Sequence, residues 1–448
     1  MHFLSLFLPL CKHLCKKRTY SHARRRYIKT TTANPHFETL WLHEEDYFVS
    51  ITLKNDGKGR YAMNLLIIPK LILTVHLCTF TSVSSEVTSP VIDTGQVKCY
   101  DNYKQISCPQ PGEPFYGQDA QYDGIRMSYR ENGDGTVTDL NTSLMWQKTP
   151  PAEHYTWDEA VTYVENLQLA GYDDWRIPTI KELYSLVAFY GSIRTMTAYI
   201  NTDYFDFKYP DTSQGYRIID AQYWSSNKYV GTTMRGDKSA FGFNFADGRI
   251  KAYPTGQRGG PTKRSYIRCV RGPKGYGRNK YVDNGNGTIT DIATGLMWQK
   301  NDSGITMNWK DALSYAENLK YAGYDDWRLP NAKELQSIVD YTRAPDAPDP
   351  AHRSAAIDPI FNITGTESWF WTSTTHGDNL FGIYICFGRA LSAWQWNGKS
   401  MNAHGAGAQR SDPKSGNPAK YPRGLGPQGD EIRIYNYVRC VRDVNRKT

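Results

Sequence analysis

The sequence predicts an α+β protein built as two tandem homologous domains, each with two helices packed on small antiparallel sheets and long loops. Two observations carry that prediction. Residues 132–183 recur without a gap 152 positions later as residues 284–335, with 29 of the 52 aligned residues identical. Within each copy two helical patterns come first and short, turn-bounded, strand-like stretches follow, which is the order of an α+β unit rather than of alternating βαβ. The period is far longer than the roughly 20–50 residues of a solenoid repeat, so each copy is expected to be a domain with a core of its own.

Each copy opens on a glycine-rich turn, Asn132-Gly133-Asp134-Gly135 or Asn284-Gly285-Asn286-Gly287, leading into two short strands; Asn-Gly supplies the positive φ angles of tight hairpins. A helix follows, with Trp157, Ala160, Val161, Val164 and Leu167 on one face, and Trp309, Ala312, Leu313, Ala316 and Leu319 in the second copy. Thr156 and Asn308 stand where N-caps belong, and Gly171 and Gly323 where the helix is expected to stop. The extended segment Asp173-Asp174-Trp175-Arg176 or Asp325-Asp326-Trp327-Arg328 runs up to a proline. A second helix is predicted over 179–187 and 331–339, where Thr179 with Glu182, and Asn331 with Glu334, have the spacing of a capping box.

The 448 residues carry 53 Lys and Arg against 45 Asp and Glu, but 11 of those cations lie in residues 1–62 and residues 86–448 hold 41 against 40. The folded part is close to neutral, so the basic balance gives no argument for nucleic acid as a partner. The apolar run at 65–80, followed by small residues, reads as a secretory h-region after a start at Met63. The expected organisation is therefore an over-extended or disordered stretch 1–62, a signal peptide or signal anchor 63–85, a lead segment 86–131, a first domain 132–273, and a second domain 284–443 with a long loop 390–433. Export to the periplasm, the medium or the cell surface follows from that reading, with no membrane span in the mature chain. It also places Cys99, Cys108, Cys269, Cys386 and Cys440 in an oxidising compartment. Cys99–Cys108 and Cys386–Cys440 are the candidate pairs and Cys269 is left over, although sequence leaves the connectivity open.

The ordered landmarks Leu144-Met145-Trp146, Asp174-Trp175-Arg176, Trp224-Ser225-Ser226 and Arg268-Cys269-Val270-Arg271 return as Leu296-Met297-Trp298, Asp326-Trp327-Arg328, Trp371-Thr372-Ser373 and Arg439-Cys440-Val441-Arg442. This series resembles the Lcl C-terminal domain, a bacterial domain of unknown function named after a collagen-like adhesin, and the resemblance spans most of 132–443. It implies two C-type-lectin-like domains, related also to the formylglycine-generating-enzyme fold, on secreted or surface proteins. Glycosaminoglycan binding is attributed to the adhesin member.

Of the candidate sites, the Asp-Asp-Trp-Arg motifs are read as structural signatures: a buried tryptophan, with the arginine and aspartate pairing to hold turns. The series Asn132, Asp134, Thr136, Thr138, Asp139 alternates oxygen donors as a calcium loop does. It lacks the bidentate glutamate and its twin carries Asn286, so a hairpin turn is the preferred reading, with calcium kept as the one cofactor to test. The long loop supplies the ligand-binding candidates Trp394, Trp396, Arg410, Lys414, Lys420 and Arg423: aromatic rings stack on sugar faces and guanidinium or ammonium groups pair with sulfate or carboxylate. Its counterpart in the first copy, with Lys251, Arg258, Lys263 and Arg264, is also basic. The expected function is non-catalytic recognition of a polysaccharide or a cell-surface protein. The alternatives are a secreted enzyme of the formylglycine-generating type and a structural part of an envelope assembly.

Overall fold

The computed structural model describes residues 87–256, 262–378, 380–396 and 399–444, except for the side chain of Trp396, together with the backbone of five strands before residue 82. The chain divides into two compact units, 1–86 and 87–448. In the first unit, strands β1 (Arg26–Tyr27), β2 (Phe37–Glu44), β3 (Tyr47–Asn55), β4 (Arg60–Ile68) and β5 (Phe80–Thr81) form one antiparallel sheet in chain order. Met63 lies in β4, and the rest of the expected signal segment falls on β4, on β5 and outside the described residues. Among the described residues no helix is long and apolar enough to cross a membrane.

The second unit is a sheet-rich α+β structure of two domain-like halves. A short hairpin, β6 (Cys99–Tyr100) and β7 (Gln105–Ile106), precedes them. The first half contains β8 (Tyr129–Glu131), β9 (Thr136–Asp139), β10 (Met145–Gln147), helices α1 (Trp157–Glu165) and α2 (Ile180–Ser185), then β11 (Gln222–Lys228), β12 (Ser239–Asn244), β13 (Arg249–Pro254) and β14 (Val270–Arg271). The second half contains β15 (Tyr281–Asp283), β16 (Thr288–Asp291), β17 (Leu296–Gln299), α3 (Trp309–Glu317), α4 (Ala332–Ser337), β18 (Trp369–Thr375), β19 (Gly382–Cys386), β20 (Leu391–Trp396), β21 (Lys399–Asn402), β22 (Gln409–Asp412) and β23 (Val441–Asp443). Each half closes a four-stranded sheet, β14-β10-β9-β8 or β15-β16-β17-β23, in which the last strand returns beside the central hairpin.

Local chemistry explains the helices. Thr156 caps α1 by accepting from the Glu159 N–H, and Glu159 reaches back to the Thr156 N–H, so two orphan donors are satisfied. Thr179 with Glu182, and Asn331 with Glu334, do the same for α2 and α4. The glycine stop is corrected. Helix α1 ends at Glu165 and α3 at Glu317, several residues before Gly171 and Gly323. Ala170 and Gly171 (φ 55° and 76°), like Ala322 and Gly323 (54° and 84°), instead form the two left-handed positions of a tight turn closed by mutual hydrogen bonds between Leu169 and Tyr172 or between Tyr321 and Tyr324.

The halves are not packed as two separate cores. Strands β11-β12-β13 of the first and β22-β19-β18 of the second make one six-stranded sheet, joined where Ile250 pairs with Gln409. One large apolar cluster spans both halves and contains Trp146, Tyr184 and Phe243 together with Trp298, Ile338 and Phe370. A smaller cluster in each half surrounds Trp175 or Trp327. The joint is reciprocal. Lys181 Nζ on α2 donates to Ser337 O on α4 (2.6 Å), and Lys333 Nζ on α4, its twin, donates to Ser185 O on α2 (3.0 Å). Each lysine also reaches the segment that leads into the other half: Lys181 binds Gly277 O and Asn279 Oδ1, and Lys333 binds Asp93 O. Burial pushes the Lys181 ammonium down to about 8 and that of Lys333 down to about 7. The two copies thus meet as the subunits of a two-fold dimer would.

Candidate functional site

The Asp-Asp-Trp-Arg signatures are scaffold in both halves. The Trp175 and Trp327 indoles are buried and donate to Leu169 O (3.2 Å) and Tyr321 O (3.1 Å), which ties them to the turn before them. Arg176 clasps Glu182 through two bonds of 2.6 and 2.5 Å, and Arg328 clasps Glu334 through bonds of 2.6 and 2.7 Å. Asp174 accepts from Arg271 (2.6 Å) and Asp326 from Arg442 (2.7 Å), while each of those guanidiniums lies over a tyrosine, Tyr172 at 3.6 Å or Tyr324 at 3.9 Å. The bond from Arg271 holds the Asp174 carboxyl below its ordinary range. Trp146 and Trp298 sit in the shared core with no exposed surface. In the glycine-rich opening turn, Asp134 Oδ1 accepts from the backbone and hydroxyl of Thr136, and Asn132 Nδ2 donates to Thr136 and Thr138. Those oxygens close a hairpin. Among the described residues no group of three or more His, Cys, Asp or Glu is arranged to hold a metal ion.

The cysteines divide. Cys99 and Cys108 form a disulfide. The expected pair Cys386–Cys440 is corrected: both are free, as is Cys269, and all three are buried. Each lies in the apolar cluster of its own half, and burial raises all three thiols, Cys269 to about 12. They are thiols rather than thiolates and act as small apolar packing groups.

The long loop does not present a continuous basic face. Arg410 is 8 % exposed on β22 and forms an ion pair with Asp430, whose other oxygen accepts from His404 Nε2 (2.7 Å). Lys414, 1 % exposed, lies 3.8 Å from the centre of the Trp309 ring and donates to Asp101 O (3.1 Å). Arg410 turns inward because β22 lies at the seam of the sheet, and Lys414, two residues beyond that strand, because it packs on Trp309. Lys420 and Arg423 are exposed on the outer part of the loop, and Arg433 stacks 3.4 Å over Trp369. Trp394 is 47 % exposed.

The structure brings Trp394 together with a different set of charges. It lines a cleft of about 500 Å³ at the seam, in which Lys251, Tyr253 and Lys263 come from the first half and Trp394 and His404 from the second, with Arg217 and Arg235 at the rim and Asp237 the lining carboxylate. Arg217 shares its charge with Asp220 (2.6 Å), and Lys251 has Asp247 at 3.9 Å. Burial pushes Lys251 down to about 7, against the pull of Asp247, with Arg410 and Arg249 adding to the fall. His404 is held well below its ordinary value by burial and by Arg410, so its imidazole is neutral. The cleft therefore offers cationic donors, a neutral imidazole and two aromatic rings in one concavity. Lys251 and Lys263 were visible in sequence as part of a basic stretch. Arg217, Arg235 and Tyr253 carried no signal, since they are scattered in sequence and meet Trp394 and His404 only once the two halves are joined. Arg258 lies outside the described residues, and Arg264 pairs with Glu159 (2.7 Å) away from the cleft lining.

No curated protein and no solved structure matches the chain. The model of the Lcl C-terminal domain matches residues 135–271 and 287–405, one segment in each half, the second ending before β22. With more than half of its length matched in two successive segments, the chain belongs to the Lcl C-terminal domain family, as a tandem pair of a domain associated with an adhesin and of unknown function.

Proposed function

We propose that this is an exported, non-catalytic binding protein whose two lectin-like halves recognise an anionic glycan in the cleft at their seam. The observation that carries the reading is the meeting of Trp394 and Tyr253 with Lys251, Lys263, Arg217 and Arg235 around one concavity. Rings of this kind stack on the apolar faces of sugars, and ammonium and guanidinium donors pair with carboxylate or sulfate. Duplication places both contributors in one chain, so the site does not depend on association of two molecules. An enzyme using the remaining cysteines is disfavoured by thiols that are buried and raised.

The test is a glycan array probed with the full-length protein, with calcium and with a chelator, including sulfated, carboxylated and neutral polysaccharides. The expected result is chelator-resistant binding to acidic chains that is lost in Trp394→Ala and in Lys263→Glu. Because an anion favours protonated Lys251, binding weakens as pH rises through about 7. Binding indifferent to both substitutions removes the cleft from the reading, and silence across the array removes the glycan.

A further inference from the structure

The chain docks one of its own segments on the second half and leaves the equivalent face of the first half uncovered among the described residues. Residues 98–122, closed by the Cys99–Cys108 disulfide, lie against α3. The Phe115 ring is 6.3 Å from that of Trp309, the Tyr122 hydroxyl bonds Glu317, and the Tyr122 ring is 5.4 Å from the Arg328 guanidinium. Asp119 accepts from Thr374 (2.6 Å), and Asp101 O accepts from the Lys414 ammonium that covers Trp309. Under that cover Trp309, Arg328 and Ser373 are buried.

The first half keeps the same chemistry without the cover. Trp157 holds the place of Trp309: its indole donates to Ser225 O (2.9 Å) as Trp309 donates to Thr372 O (2.7 Å). A lysine ammonium again lies 3.8 Å over the ring, Lys228 in place of Lys414. Yet Trp157 is partly exposed and Ser226, twin of the buried Ser373, is exposed. The reason is in the chain. The stretch before the first half runs from 87 to 128, whereas the stretch between the halves is confined to 272–280, of which Lys274 lines the groove. What remains is a groove of about 410 Å³ lined by Trp157, Arg176 with its partner Glu182, Thr179, Ser226 and Lys274. It shares no lining residue with the seam cleft.

We propose that this groove docks an acidic, aromatic-bearing extended segment of a partner polypeptide. The form of the occupant follows from the internal precedent, in which an aromatic ring approaches the tryptophan and an arginine sits beneath a tyrosine. Its charge follows from Lys274 in the groove and Lys228 over the Trp157 ring, and from the docked segment itself, where Asp101, Glu113 and Asp119 outnumber Lys98 and Lys104. Aromatic anchors entering a cationic, aromatic groove are the usual energetic centre of such contacts.

The experiment is a peptide-display selection on the full-length protein, repeated on Trp157→Ala and on Lys228→Glu, the latter an exposed position, with melts showing that both variants fold. The expected result is enrichment of peptides pairing an aromatic residue with Asp or Glu, with affinity falling by about tenfold or more in each variant. The proposal is overturned by absence of enrichment, by enriched peptides that bind both variants as well as the parent, or by selected sequences that are basic or lack aromatics. Self-association of the full chain that the same substitutions abolish assigns the groove to a second copy and overturns it equally.

Discussion

The two halves share the bonds of their signature residues and differ in what has been laid on that scaffold. Trp175 and Trp327, Arg176 and Arg328, Arg268 and Arg439 make matching bonds; both members of the last pair are buried and donate to two backbone carbonyls at the end of the central hairpin, Gln147 O and Lys148 O or Gln299 O and Lys300 O. The second half alone carries the docked segment 98–122 and the β20–β21 insertion, and the first half alone exposes its α1 tryptophan. What recurs is the part that folds the domain, and what does not recur is where recognition has room to be built.

That comparison can be broken or sharpened by substitution. The largest effect is expected at Trp309, buried beneath Phe115 and Lys414. Trp309→Ala removes about 3–5 kcal/mol of stability, while Trp157→Ala removes about 1 kcal/mol. Chemical denaturation of both variants checks this, and equal losses erase the distinction between the halves. Next comes Arg410→Ala, which strands Asp430 in the seam and costs about 3 kcal/mol, against less than about 0.5 kcal/mol for Lys420→Ala or Arg423→Ala. Replacing Cys99 and Cys108 with serine costs about 2–3 kcal/mol and increases amide exchange in α3 before α1. The last comparison is electrostatic and is read as a slope against pH. Asp119, buried between the hydroxyls of Thr94 and Thr374, is raised to about 7 by burial, with Asp93 and Glu334 adding to the rise. A carboxyl raised on folding contributes stability at acid pH that is lost as pH climbs from about 4 to about 7, at up to about 1.4 kcal/mol per pH unit. Asp119→Asn flattens that slope, read from melts across the range, and an unchanged slope removes Asp119 as its source.

Elements governed by neighbours in sequence were legible beforehand. The capping boxes at Thr179 and Asn331 and the caps at Thr156 and Asn308 depend on residues a few positions apart, and the repeat made each visible twice; the Cys99–Cys108 pair, outside the repeat, is nine positions apart. Arg410 and Lys414 were expected on a solvated loop because charge in a Gly- and Pro-rich stretch normally stays in water. Arg410 is buried where β22 joins β13, a contact between residues more than 150 positions apart, and Lys414 where it meets Trp309 and Asp101, and no local pattern encodes either. The Cys386–Cys440 pairing failed for a related reason, since counting thiols does not say which sulfurs meet. The seam cleft was half legible: Trp394, Lys251 and Lys263 stood out as residue types, and their convergence did not.

The reciprocal lysines have a consequence for how the protein ages. Lys181 and Lys333 each fasten one half to the segment that leads into the other, and the six-stranded sheet closes the joint between them. A protease that nicks the chain once within residues 272–280 severs the covalent link and leaves these bonds in place. The product runs as two bands on a denaturing gel and still elutes as one species from a sizing column. A half released by stronger conditions carries away a bare sheet edge and a buried ammonium suddenly open to water, so it re-pairs or aggregates instead of persisting alone.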